Sequence, residues 1–242
     1  MIPKIIHYCW LSGDPYPDKI QHCINSWKKF LPEYEFMLWD TNKFPLDMHV
    51  WVKEAFESKK YAFAADYIRL YAVYSYGGIY LDCDVEVLKP FDDLLSLPYF
   101  IGRESFENRV EVAAFGAEKG NLWIKMCLNY YENRHFKKSE TLYDTIVMPD
   151  VIYNVLSPHY RFNKIDSIEE FVNDEQLFNV FPNNWFCANI HLKPTDELPT
   201  YMISSETYCV HHFANSWIKV SWKRKLWLTV LRLYYNLKSK IR

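Results

Sequence analysis

Glycine is scarce in this 242-residue chain, which has 6 Gly and 12 Pro, 18 residues together. Half of the residues are hydrophobic and 18% are aromatic, so a low-complexity or disordered polymer is excluded and a packed core is expected. Six scattered cysteines (Cys9, Cys23, Cys83, Cys127, Cys187, Cys209) form no CxxC pair and no zinc-ribbon spacing. That pattern indicates neither a metal knuckle nor a small disulfide framework and fits a reducing compartment. No apolar run approaches the roughly 18 residues of a membrane-spanning helix. The opening "MIPKIIHYCW" has no basic segment followed by an apolar stretch of signal-peptide length. The expectation is one α/β domain over residues 1–217, cytoplasmic or peripheral on the cytoplasmic face of a membrane.

Acidic charge is absent from one place. The net charge is −2, from 28 Lys+Arg against 30 Asp+Glu, but residues 218–242 carry eight basic residues and no acid. Removing those eight leaves 20 basic residues against 30 acidic ones, so the body stands near −10 and the tail at +8.

Strand and helix signals alternate over the first 90 residues. "KIIHYCW" is a short β-prone run closed by the turn-rich "SGDPYPD". Ile20, Cys23, Ile24 and Trp27 then recur at helical spacing up to Pro32, and "EFMLWD" reads as a second strand. Residues 59–76 form the clearest helix, with Tyr61, Ala65, Ile68 and Ala72 on one face and Gly77 at the C-terminal cap position. Further on, "PYFIGR", "EVAAFGA" and "SETYCVHHF" read as strands and residues 121–131 as a helix. The alternation predicts a mostly parallel sheet covered by helices.

The stretch "GGIYLDCDVEV" (77–87) sets acids inside an apolar strand. Read as one strand, it points Tyr80, Asp82, Asp84 and Glu86 to one side and Ile79, Leu81, Cys83, Val85 and Val87 to the other. Successive acids start about 6.6 Å apart. Like charges at that distance repel by roughly 0.6 kcal/mol in water and about 2.5 kcal/mol at an effective dielectric of 20. A lone DxD is commonly only a solvated acidic face. At the carboxyl end of a strand in an open α/β sheet, however, an acid pair is well placed to hold Mg²⁺ or Mn²⁺ together with phosphate oxygens.

Three segments carry a family resemblance: "IPKIIHYCWLSGDPYP", "AADYIRLYAVYSYGGIYLDCDVEVL" and "HHFANSW". They resemble the signature regions of glycosyltransferase family 32. That family contains bacterial capsular-polysaccharide sugar transferases, yeast α-1,6-mannosyltransferase-like proteins and, more distantly, the glucosylating clostridial toxins. The resemblance implies a GT-A (Rossmann-like) nucleotide-diphospho-sugar transferase fold and a Mn²⁺- or Mg²⁺-dependent hexosyltransferase that retains anomeric configuration. It implies a nucleotide-sugar donor, UDP-linked in preference to GDP-linked, and a glycan or lipid-linked acceptor in capsular or surface polysaccharide synthesis. Asp82 and Asp84 match the DxD, which implies that Asp84 binds the metal and that Asp82 contacts metal or donor ribose. Asp66 and Arg69 match an Asp-x-x-Arg on the preceding helix, implying contacts to donor sugar and phosphate, and Tyr80 is grouped with these donor contacts. Trp10 matches a tryptophan implied to stack on the nucleotide base. In "HHFANSW" a histidine completing the metal site maps to His211 or His212, with Ser216 and Trp217 near the diphosphate.

Plainer readings stand beside these. Asp66 and Arg69, spaced i, i+3, also suit an intrahelical ion pair worth a few tenths of a kcal/mol, and Trp10 also suits a core position. Strand alternation separates His211 from His212. Glu104 and Asp150 read as surface acids. The rival enzyme class is a haloacid-dehalogenase-type phosphatase, whose nucleophile also lies in an apolar-strand DxD. That motif normally opens its chain, whereas 81 residues precede it here. A non-enzymatic sugar- or membrane-binding module is suggested by nine Trp and 19 Tyr, although aromatic richness is ordinarily core packing. In residues 218–242, Trp222, Leu226, Val230, Leu233 and Leu237 follow helical spacing among basic residues. The segment reads as an amphipathic helix that either lies on an anionic membrane surface or packs on the domain. The acidic body disfavours nucleic acid as a partner.

Overall fold

The computed structural model describes residues 1–104, 109–187 and 203–213. Ser216, Trp217 and the basic segment 218–242 lie outside the described residues. In chain order the elements are β1 Ile5–Cys9, α1 Asp18–Phe30, β2 Glu35–Trp39, α2 Val50–Glu57, α3 Tyr61–Tyr76, β3 Gly78–Leu81 and β4 Val85–Val87, followed by β5 Tyr99–Arg103 and β6 Val110–Ala117. Next come α4 Leu122–Tyr131, α5 Met148–Leu156, β7 Arg161–Lys164, β8 Leu177–Val180, α6 Asn183–Phe186 and β9 Cys209–His211.

The five-stranded central sheet runs β2-β1-β3-β6-β5. β1 pairs in parallel with both β2 and β3, while β6 is antiparallel to β3 and to β5. Four strands therefore share one direction and β6 opposes them, so the sheet is mostly parallel, as expected. Period-2 alternation sends each strand into two cores. In β3, Tyr80 joins Trp51, Ile68, Phe115 and Trp123 on the face covered by α2, α3, α4 and α5. Ile79 and Leu81 join Ile24, Trp27, Phe100 and Tyr208 on the other face, under α1, β4, α6 and β9.

Helix α1 follows its sequence pattern, burying Ile20, Cys23, Ile24 and Trp27. Helix α3 departs from it. Phe63, Ala64, Ala65, Ile68, Leu70, Ala72 and Val73 are all buried, so more than one stripe of this helix is covered. The helix ends at Gly77 (φ 69°), and Gly78 follows at φ 111°. A Cβ on Gly78 would stand 2.7 Å from the Ile5 carbonyl oxygen. Only glycine takes that backbone while β3 lies this close to β1.

The run "GGIYLDCDVEV" is not one strand. β3 ends at Leu81, and the Val85 N–H closes a turn onto the Asp82 carbonyl at 3.0 Å. β4 then leaves the central sheet to pair antiparallel with β9. The turn spares the chain a straight acidic row and turns its carboxylates toward one spot.

His7 locks the start of this arrangement. It is 0% exposed on β1. Its Nδ1 accepts from the Trp39 indole N–H at 3.1 Å, so Nε2 carries the proton and donates to the Gly77 carbonyl at 2.7 Å. Burial drives its pKa down to about 4; the Gly77 carbonyl resists and nearby Lys43 adds to the fall. The folded state thus keeps a neutral imidazole that the unfolded chain protonates from its ordinary 6.5 downward. Stability from this group is present above pH 6.5 and is lost as pH falls toward 4. Urea titrations should show wild type losing on the order of 3 kcal/mol more than His7→Gln between pH 7 and pH 3.5.

Candidate active site

The chain crosses the carboxyl end of β3 with Asp82, Cys83 and Asp84 in the turn to β4. Strand β6 runs on beyond the end of β3, and its Ala113 carbonyl takes the Asp82 N–H at 2.8 Å. The Cys83 thiol donates to the Cys9 carbonyl at 3.2 Å, tying the turn to the end of β1.

Arg69 enters from α3, only 4% exposed. Its guanidinium lies 3.3 Å from Asp66 Oδ1 and 3.2 Å from Asp82 Oδ1. It donates to the Val112 carbonyl at 2.9 Å and sits 4.6 Å from the centre of the Tyr80 ring. The Tyr80 hydroxyl donates to Asp82 at 2.8 Å, and Tyr80 itself is 1% exposed. The i, i+3 ion pair is therefore present, extended by the guanidinium to the DxD. Burial pushes Asp66 up to about 6, with Arg69 pulling it down and Asp82 adding to the rise. Burial likewise raises Asp82 against the pull of Arg69.

From the other side comes β9, whose pairing sets His211 opposite Val85. His211 Nε2 stands 3.5 Å from Asp84 Oδ1, and its Nδ1 stands 3.3 Å from Glu111 Oε1. Burial disfavours the charged imidazole, but Glu111, Asp84 and Asp82 outweigh that and hold it up at about 9. Ligand atoms of Asp82, Asp84 and His211 all lie within 4.8 Å of one another, and all three side chains keep some exposure. Two hard carboxylates and one imidazole form a donor set that suits Mn²⁺, with coordination positions left for phosphate oxygens. A second cluster, Glu111, Cys187 and His211, shares the histidine but is more deeply buried.

The remaining candidates divide. His212 lies apart, with Nε2 2.8 Å from Glu86, which also meets His22 at 3.2 Å. Trp10 follows β1 beside the turn; its indole N–H donates to the Asp14 carbonyl at 2.7 Å and its ring meets Tyr16 edge-on at 4.9 Å. Glu104, read from sequence as a surface acid, is half-buried; burial, with Glu111 beside it, raises its pKa to about 7 against Arg109 and His211. Asp150 is held by Arg109 at 2.8 Å. Glu111 has no counterpart among the sequence-derived candidates. Its one visible signal is an acid opening the apolar run "EVAAFGA", a type almost never fully buried without partners.

Residues 17–101 match the family model described as the glycosyltransferase sugar-binding region containing DXD motif. Over these residues the chain is similar to the DXD-containing glycosyltransferases. Inositol phosphoceramide mannosyltransferase 3 of Schizosaccharomyces pombe is 30% identical over 152 residues, covering 60% of this chain and 42% of that protein. Mannosyl phosphorylinositol ceramide synthase SUR1 of Saccharomyces cerevisiae is 31% identical over 112 residues, covering 43% of this chain and 28% of that protein. The chain thus spans less than half the length of these two curated relatives. Among solved structures, PaToxG glycosyltransferase superposes with a TM-score of 0.51 at 22% identity, covering 65% of this chain and 68% of that chain. That likeness supports the GT-A fold expected from the sequence.

The cluster at the end of β3 depends on one buried guanidinium. Arg69→Met leaves Asp66 and Asp82 without their cation and should lower stability by about 3–5 kcal/mol. Combining it with Asp66→Asn should recover part of that loss, because one uncompensated carboxylate is removed. Guanidinium chloride unfolding of the two variants checks both outcomes.

Proposed function

We propose that this chain transfers a hexosyl unit from a nucleotide-diphosphate sugar to a lipid-linked or glycan acceptor, with a divalent cation and with retention of anomeric configuration. The observation that carries this reading is the convergence of Asp82, Asp84 and His211 from separate elements on one partly exposed spot. Asp82, Asp84 and His211 would hold a divalent cation such as Mn²⁺, which would supply positive charge against the negative charge of a departing nucleoside diphosphate. Arg69 lies behind the carboxylates and fixes Asp82, so the ligand set is held in place before any donor arrives. Asp66, on the same helix face, is the side chain best placed to accept from a donor sugar hydroxyl. Trp10, next to the turn, offers an aromatic face to the base.

The relatives bear on donor and acceptor. Both are named for mannosyl transfer to an inositol phosphoceramide, so a GDP-linked hexose gains ground beside the UDP-sugars, and a phospholipid-like acceptor beside a capsular glycan. Sphingolipid and lipid-linked sugar acceptors share a membrane surface. On this reading the basic segment 218–242 holds the protein to an anionic leaflet on the cytoplasmic side.

Two measurements test this. Incubated with Mn²⁺ and a panel of UDP-glucose, UDP-galactose and GDP-mannose, the protein should slowly release nucleoside diphosphate from one donor, and Asp84→Ala should cut that rate at least about 100-fold. Release that is indifferent to metal and to Asp84→Ala, or cleavage of phosphomonoesters instead, would sink the reading. Separately, deleting residues 221–242 should abolish co-sedimentation with phosphatidylserine-containing liposomes; unchanged sedimentation removes the membrane role.

A further inference from the structure

We propose that Glu111 is a positioning residue, whose carboxylate fixes the His211 ring so that Nε2, and not Nδ1, is presented to the cation site formed with Asp82 and Asp84. The inference rests on the metal-dependent reading above, and goes beyond it in assigning a role to a side chain outside the matched region 17–101.

The geometry is specific. Glu111 is 2% exposed, in the part of β6 that runs past the end of β3. Taking a carboxylate out of water costs several kcal/mol unless donors surround it. Here the Ala113 N–H donates to Oε1 at 2.8 Å and the Cys187 thiol also donates to the carboxylate. Both donors anchor Glu111 to its own sheet and to the end of α6, and neither comes from the DxD turn. The remaining direction is occupied by His211, whose Nδ1 lies 3.3 Å from Oε1. An imidazole held at Nδ1 by a fixed carboxylate can turn only Nε2 to the far side, and that atom faces Asp84 at 3.5 Å.

His211 needs this restraint. It ends β9, a three-residue strand paired, among the described residues, with β4 alone, itself three residues long. The Phe213 ring packs on the imidazole at 4.0 Å between centroids, and Glu111 adds the polar contact that distinguishes its two nitrogens. The deeper triple of Glu111, Cys187 and His211 is no competitor for a hard cation that must also take phosphate oxygens. Glu111 and Cys187 are 2% and 1% exposed, and the Cys187 thiol donates to the Glu111 carboxylate. The outer shell thus sets which histidine nitrogen serves, an arrangement whose loss commonly costs 10–100-fold in metal affinity.

The test is a double-mutant cycle read by Mn²⁺ calorimetry on the full chain, without donor or turnover. Glu111→Gln should weaken Mn²⁺ binding roughly 10–100-fold in wild type but less than about threefold in a His211→Ala background. An equal loss in both backgrounds marks a merely structural role and overturns the inference, as does a Glu111→Gln protein that binds like wild type. If wild type takes up no Mn²⁺, the metal-dependent reading fails as well, so the two failures are distinguishable. Should either variant fail to fold or to bind measurably, ¹⁵N spectra of the wild-type histidines titrated with diamagnetic Mg²⁺ decide. The His211 Nδ1 should keep its proton while the Nε2 resonance moves; movement at Nδ1 instead would reject the assignment.

Discussion

Everything at the carboxyl end of β3 depends on how negative charge is balanced in a partly desolvated place. Asp66, Asp82, Asp84 and Glu111 are gathered there, and the cations facing them are Arg69 and a protonated His211. Four carboxylates against two cations leave a formal excess of two negative charges. Arg69 is the fixed part of that balance, since a guanidinium stays protonated under all ordinary conditions and its planar fork reaches two carboxylates at once. The excess sits on the exposed side, at Asp82 and Asp84, where a dication would offset it.

The same balance explains the topology around the site. A continuous acidic strand would have set its carboxylates at regular intervals along one face, each repelling the next. Ending β3 at Leu81 and turning at Asp82–Asp84 lets the two aspartates converge, while β4 goes off to pair with β9 and brings His211 back. The overhang of β6 supplies what the turn lacks: the Val112 carbonyl for Arg69, the Ala113 carbonyl for the Asp82 N–H, and the Glu111 carboxylate behind His211. An antiparallel neighbour is needed for this, because β6 arrives from beyond the site and crosses under it before pairing with β3.

How much of this could be read from the sequence follows from the range of each signal. The 3.6-residue spacing of Ile20, Cys23, Ile24 and Trp27 is local, and α1 obeys it. The glycine cap after α3 is local too, and Gly77 ends that helix at positive φ. Helix α2 was not anticipated, because its eight residues bury Trp51, Val52 and Ala55 without a capping residue or a long periodic run to announce them. The turn inside "LDCDVEV" was masked by continuous β-prone alternation, and only β9, over 120 residues away, decides that β4 leaves the sheet. Strand alternation sets His211 and His212 on opposite faces but does not say which face meets the DxD. The β4–β9 register separates them, setting one toward Asp84 and the other toward Glu86.

The matched region ends at residue 101, before β6 and β9. It contains the Asp-x-x-Arg helix, the glycine pair and the DxD. The histidine, its buried carboxylate and the half-buried Glu104 come from the remainder of the chain. On the proposed reading this division has a physical basis. Holding a pyrophosphate requires a fixed set of charges at fixed distances, so the residues that do it vary little. Recognising an acceptor requires only shape and a few polar contacts, which loops can supply in many ways. Glu104 stands just past the end of β5, where burial and the Glu111 charge push its carboxyl up to about 7.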